Sequence, residues 1–234
     1  MSITTESEQH RLRQVFLQRF VGRPADRWSS CNRGNQWIHR ERFEGTKQML
    51  VRSGLWPLQD LDILDIGCGG GGQLARLLSL GASPARLHGI DLIPERVERA
   101  SESLPGIDIR VADARTFSLG RDSLDLVWLQ TVLSSIRDDD IIFAILDRIR
   151  EMLRPGGGVV WYDFFLANPD NLHTRPMRRR DIERYFRGFS IELTRVTVIP
   201  ALARRLGFMT DALYPVLRRI PVLCSHYLGL FRKP

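Results

Sequence analysis

The sequence predicts an α/β protein built on a doubly wound, largely parallel sheet. Two observations carry this. From residue 61 to residue 165, short apolar runs alternate with amphipathic helical segments, and the first run ends in a glycine-rich turn, Gly67-Cys68-Gly69-Gly70-Gly71-Gly72. Such alternation places helices against both faces of a parallel sheet. The length of 234 residues suits one α/β core with helical additions. A hydrophobic share of 43% and a charged share of 26% are those of an ordinary soluble globular chain.

The elements follow in order. Residues 5–20 read as an amphipathic helix on Leu12, Val15, Phe16 and Phe20, broken by Gly22-Arg23-Pro24. After a loop over 27–34, residues 36–52 form a second helix with Ile38, Phe43, Met49, Leu50 and Val51 as its apolar contacts, ended by Gly54. A strand at 61–66 leads into the glycines, and a helix over 73–80 closes at Gly81. A strand at 86–91 and a helix at 94–103 come next, with Pro94 suited to the helix's first turn. Strands at 107–112 and 124–130 precede a helix at 138–153, whose Asp138, Asp139 and Asp140 favour the positive end of its dipole. A strand at 158–165 is followed by a loop at 168–176 and a helix at 178–186. A strand at 189–199, a helical stretch at 201–219 interrupted by Gly207 and Pro215, and a last strand at 222–231 complete the chain.

Charge and cysteine usage narrow the function. Cys31, Cys68 and Cys224 are widely spaced and odd in number, which suits neither a disulfide framework nor a metal site. No run is long and apolar enough to span a membrane, and residues 1–19 lack the apolar core of a signal peptide, so a cytoplasmic location is expected. Net charge is +7, but residues 175–234 hold 13 Lys+Arg against 4 Asp+Glu, so the excess is C-terminal. A solvated basic surface and a site for an anionic substrate, nucleic acid or membrane face both fit that bias.

A strand that ends in Gly-x-Gly and opens a helix is a nucleotide-binding device, because glycine admits close backbone approach and the helix start offers free N–H groups. Gly67, Gly69 and Gly72 match the dinucleotide pattern; Asp65, Gly67, Gly69 and Gly71 match an acidic-x-Gly-x-Gly-x-Gly pattern. The glycines leave NAD and S-adenosylmethionine (SAM) both open. Asp65 tips the balance, since a carboxylate suits the cationic amino group and sulfonium of SAM and repels a pyrophosphate. Asp91, ending the second strand ahead of Leu92, can accept both ribose hydroxyls, and Asp113, followed by Ala114, can accept from the adenine amino group.

These motifs, with Asp125-Leu126-Val127-Trp128 and Leu153-Arg154-Pro155-Gly156-Gly157 in order behind them, resemble the class I, methyltransferase-type-11 group over residues 61–165. The resemblance implies a Rossmann-like, seven-stranded sheet with an antiparallel final hairpin, and SAM as cofactor with S-adenosylhomocysteine as product. The chain is then one domain over 1–234: an N-terminal helical cap at 1–56, a SAM-binding core at 57–165, and a C-terminal substrate-side part at 166–234 with a helical insertion before the last strand. Asp65, Gly67, Cys68, Gly69, Gly71, Asp91, Leu92, Asp113, Ala114 and Gln130 are the expected cofactor residues.

Methyl transfer needs alignment of the nucleophile and exclusion of water, and no metal. The reacting methyl should lie near Gln130, Thr131 and Val132. The Asp/Asn-Pro-Pro-Tyr motif for planar amino nitrogens and the Pro-Cys motif of cytosine-C5 enzymes are both missing there. That weighs against nucleic acid and towards oxygen on a small molecule or glycan. Methylation of a lipid-linked or other anionic acceptor at a membrane, with peripheral contact through the basic C-terminal part, is the alternative; an NAD-dependent oxidoreductase is the other. His39, Asp163 and His173 are candidate bases, and Trp28, Trp37, Arg40, Arg178 and Arg179 are candidate acceptor contacts; a structural role competes for each. His88 and His226 are expected to be structural.

Overall fold

The computed structural model describes residues 10, 11, 14, 15, 29, 31–166 and 174–234. The sheet is set by apolar runs whose successive residues point to opposite faces. Strand β1 (Ile63–Ile66) is buried throughout. Its neighbours are β2 (Leu87–Asp91), β3 (Asp108–Val111), β4 (Leu124–Gln130), β5 (Leu153–Phe164), β6 (Ser190–Val198) and β7 (Cys224–Arg232). They form one seven-stranded sheet in the order β3-β2-β1-β4-β5-β7-β6. Strands β1 to β5 pair in parallel, and β7 runs antiparallel to both β5 and β6. The expected sheet and its final hairpin are present.

Helix α1 (Arg33–Arg52) precedes the sheet; α2 (Gly72–Ser79), α3 (Pro94–Ser103) and α4 (Asp139–Met152) connect the parallel strands. Helix α5 (Arg179–Tyr185) precedes β6, and α6 (Pro200–Arg205) and α7 (Thr210–Leu217) fill the connection to β7. Alternation builds two cores. Ile63, Leu126, Trp128, Val160 and Tyr162 pack with Met49 and Leu50 of α1 and Leu74 and Leu77 of α2. Leu64, Ile66, Val127, Leu129, Val159 and Trp161 pack with Ile142, Ile145 and Ile149 of α4 and Ile182 of α5. Asp138 caps α4 by accepting from the Asp140 N–H at 2.9 Å, with Asp139 and Asp140 in the first turn.

Several boundaries differ from the sequence expectation. Strand β5 begins at Leu153 rather than 158, because Leu153 pairs with Leu124 across a register shift. Gly207 does interrupt the last helical stretch, in a 3-10 turn over Gly207–Met209, whereas Pro215 lies inside α7 without ending it. Helix α1 starts three residues early, where Asn32 accepts from the Asn35 N–H at 3.2 Å. Most of the expected helix at 5–20 lies outside the described residues. Among the described residues no helix is long and apolar enough to cross a membrane.

The insertion and α1 are joined. A Cβ at Gly34 would lie 2.3 Å from the Ala203 carbonyl oxygen, so only glycine lets α1 and α6 meet there. The buried Glu41 carboxylate accepts from the Thr197 N–H at 2.9 Å and the Tyr214 hydroxyl at 2.7 Å, with Arg218 at 3.4 Å. Thr197 pays for this with a left-handed backbone, φ 65°.

Candidate cofactor site

The glycine turn sits where β1 ends. Gly67, Gly69 and Gly71 all take positive φ, at 74°, 55° and 82°. The Gly67 and Cys68 N–H groups donate to the Ile90 carbonyl at 2.8 and 3.0 Å, pinning the turn to β2. The Gly69 N–H donates to Asp91 Oδ2 at 2.9 Å, and Asp91 Oδ1 accepts from the Ile93 N–H at 3.0 Å. Asp91 thus shapes the turn and its own loop, with Arg96 at 3.5 Å over Gly69. Leu92 follows it, half-buried, and Cys68 is buried. Burial, and the charges of Asp65 and Asp91, push the Cys68 thiol well up, so it stays protonated.

Asp65 is the unusual group. Its carboxyl is buried at the end of β1, and Oδ2 has no hydrogen-bond partner. Burial, reinforced by the charge of Asp91 and opposed by Arg42 and Arg96, pushes it up to about 8. An orphaned carboxyl oxygen in a core is costly unless a ligand supplies the donor.

Asp113 closes the turn after β3. Its carboxylate accepts from the Arg115 N–H at 2.9 Å and the Arg115 guanidinium at 2.7 Å. Ala114 lies in that turn, packed against the α4-side core. Gln130 ends β4, and Thr131 after it has φ 55°, a left-handed conformation often kept at working sites. An open cleft of about 320 Å³, counting the solvent within it, runs between α1 and α2 to Gln130; Arg42, Trp56, Gln73, Arg76 and Trp128 also line it.

Arg42 is the residue that the sequence reading missed. Its guanidinium lies 5.0 Å from the centroid of the Tyr162 ring and donates to His39 Nδ1 at 3.2 Å. Burial lowers its pKa, against the pull of Tyr162 and Asp65. The signal lay in α1's period: Ile38, Gly45 and Met49 share its face at helical spacing. His226 lies on this side too, half-buried, stacked on Tyr162 at 4.7 Å and 2.8 Å from Ser225 Oγ through Nδ1. Burial and the charges of Arg42 and Arg204 hold it down to about 3, so it is neutral.

The candidate bases fare differently. His39 is on the exposed side of α1; desolvation of its ring, then Arg42, Arg76 and Arg204, push it down to about 4. With Nδ1 accepting from Arg42, the ring proton sits on Nε2, so neither nitrogen offers a free lone pair. Asp163 is fully buried, accepting from the Ser134 N–H at 3.1 Å and the Phe164 N–H at 3.0 Å. Burial raises it to about 7, opposed by those bonds. It ties the loop after β4 to β5. His173 and Trp28 lie outside the described residues.

The described acceptor candidates are not gathered at the cleft. Trp37 donates from Nε1 to Asp211 Oδ1 at 2.7 Å and stacks on Tyr214 at 5.5 Å, with Arg40 5.1 Å over its ring. Both residues serve the junction of α1 with α7. Arg179 pairs with Glu183 one turn on at 2.8 Å, and the Arg178 N–H donates to Asp181; both are exposed.

Comparison with known proteins identifies a domain within the chain. A family model described as a methyltransferase domain matches residues 63–157. These residues form a class I SAM-dependent methyltransferase domain. This methyltransferase domain takes SAM as its cofactor. The chain is 30% identical over 174 residues to a trans-aconitate 2-methyltransferase of Methylobacterium radiotolerans, covering 73% of this chain and 60% of the relative. It is 33% identical over 105 residues to a ubiquinone biosynthesis O-methyltransferase of Chelativorans sp., covering 43% and 39%. The chain therefore spans less than two-thirds of the length of these relatives. In fold, the methyltransferase domain and its additions match a crystal structure of a SAM-dependent methyltransferase from Mesorhizobium loti, with a TM-score of 0.56 at 21% identity over 82% of this chain and all of that one.

Proposed function

We propose that the protein transfers a methyl group from SAM to an oxygen of a small molecule or glycan. The observation that carries this reading is the buried, unpartnered Oδ2 of Asp65 beside the glycine turn. It fits the ammonium group of the cofactor's amino-acid end and opposes the pyrophosphate of NAD. Bound SAM supplies a methyl carbon activated by its sulfonium.

The chain's own groups then have distinct tasks. Gly67, Gly69 and Gly71 admit the cofactor close to the backbone. Asp91 keeps lone pairs beyond its two N–H donors for the ribose hydroxyls, and Asp113, held in place by Arg115, stands in the turn after β3 for the adenine amino group. Arg42 faces the charge of Asp65 from α1 and suits the cofactor's carboxylate. Gln130 and the left-handed Thr131 border the methyl. Among the described residues neither His39 nor Asp163 lines the cleft, and alignment and desolvation are what these residues bring to the transfer. Asp163 acts as a positioning residue for the loop that follows β4. The oxygen preference draws support from the name of the ubiquinone biosynthesis O-methyltransferase above.

Calorimetry with S-adenosylhomocysteine and with NAD tests the cofactor half; binding of NAD alone overturns it. Incubation with methyl-labelled SAM and a panel of hydroxylated and carboxylated small molecules and glycans tests the rest. Labelled product on nitrogen or carbon, with none on oxygen, would sink the acceptor half and leave the cofactor half standing.

A further inference from the structure

The insertion between β6 and β7 is apolar where it meets solvent. Phe208 is 87% exposed, Val222 76% and Val216 55%, and Met209 and Ile220 are exposed beside them. Helix α7 buries Thr210 and Tyr214 against the body of the protein. Met209, Ala212 and Val216 take the opposite side at spacings of three and four, and all are exposed. A short helix on the rim of a domain ordinarily turns polar residues outward; apolar side chains on both faces mean that the outer face has its own partner.

The charge around this face says what the partner is. Residues 199–223 hold four arginines and one acid. That acid, Asp211, is already engaged by Arg33 at 2.6 Å and by Trp37. Arg205 and Arg219 flank the apolar stretch, exposed and without an ion pair among the described residues. A second copy of the same face would bring like charges together, whereas a bilayer of anionic lipids offers acyl chains to Phe208 and Val222 and phosphates to the arginines.

Topology links the face to the site. Strand β6 runs parallel to β5, since both are antiparallel to β7, so its end at Val198 lies on the same edge as the glycine turn. We infer that residues 205–222 are a docking surface for an anionic lipid membrane, which would set the mouth of the cofactor site towards the bilayer. An acceptor held in or at the membrane would then reach the site without crossing water.

Sedimentation of the full chain with vesicles tests this. With phosphatidylcholine vesicles containing about a third phosphatidylglycerol, the protein should pellet, and the fraction bound should fall with salt and in pure phosphatidylcholine. The double variant Phe208→Ser, Val222→Ser should bind such vesicles about tenfold more weakly or worse. Arg205→Glu, Arg219→Glu should abolish the preference for anionic lipid. Both variants should keep the circular dichroism spectrum and the S-adenosylhomocysteine affinity of the parent, because all four side chains stand in solvent. Parent protein left in the supernatant with anionic vesicles overturns the inference. So does equal pelleting of the Phe208/Val222 variant, or a dimer in the ultracentrifuge that the same substitutions dissociate without any vesicle binding. None of these outcomes bears on cofactor binding, which calorimetry reads separately.

Discussion

At the scale of single residues, a buried carboxyl with no partner trades stability for binding. Asp65→Asn should raise the Tm of the cofactor-free protein by a few degrees at pH 8, because an amide carries no charge to desolvate. The same change should remove S-adenosylhomocysteine binding in calorimetry. Wild-type affinity in the variant would end the role given to Asp65. Binding at pH 7 should also release a proton, seen as a dependence of the heat on the buffer's ionisation enthalpy, since Asp65 starts protonated below about 8 and must ionise to meet an ammonium group. Asp91→Ala should weaken S-adenosylhomocysteine binding about 10- to 100-fold, the loss of charged hydrogen bonds, and free the Gly69 N–H as well. The glycines and these two acids were legible in sequence because each sits at a strand end marked by local pattern. Arg42 was not legible. An arginine on a helix reads as solvent-facing until the partner of that helix is known. His39, Trp37 and Arg40 were put at the pocket for the same reason: the phase of α1 is set by what it packs on. Ile38, Gly45 and Met49 take the inner face together with Arg42 and leave His39 off it.

At the scale of elements, the junction of α1 with α6 and α7 is the point where small changes matter. Gly34→Ala drives a methyl into the Ala203 carbonyl and should lower Tm while the cofactor affinity of the surviving fold changes less. Tyr214→Phe removes one donor from the buried Glu41 carboxylate and should cost about 1–3 kcal/mol in urea unfolding. No change in the midpoint would mean that Thr197 and Arg218 satisfy Glu41 without it. The strands and α2 to α4 followed the apolar period closely, because tertiary packing and local propensity agree there. The insertion was read as one interrupted helix. Gly207 does divide it, but Pro215 does not: the sequence shows where a breaker stands, not whether surrounding packing tolerates it.

At the scale of the whole molecule, pH acts through two buried acids. Asp65 and Asp163 are raised to about 8 and about 7 from 3.8, so the folded state holds protons that the unfolded chain has lost. Their contribution is full below pH 4 and fades as pH climbs through 7 and 8. Urea midpoints of the cofactor-free protein should therefore drop from pH 6 to pH 8.5, and saturating S-adenosylhomocysteine should flatten that slope by neutralising Asp65. A slope that the ligand leaves unchanged would place its origin elsewhere. The sheet and its order emerged from the sequence because parallel strands need crossovers long enough to recognise. The joining of residues 33–52 to residues 199–223 did not, since the two are far apart in the chain and no local pattern pairs them. That joining has a consequence for inheritance. Among the described residues, Glu41 from one segment is held by Tyr214 and Arg218 from the other and by the Thr197 N–H at the end of β6. Graft either segment alone from a relative and an acid is stranded in the interior. The pair must therefore diverge in step, like lock and striker cut from the same blank, and a shuffled library that swaps them together should yield folded hybrids where single swaps do not.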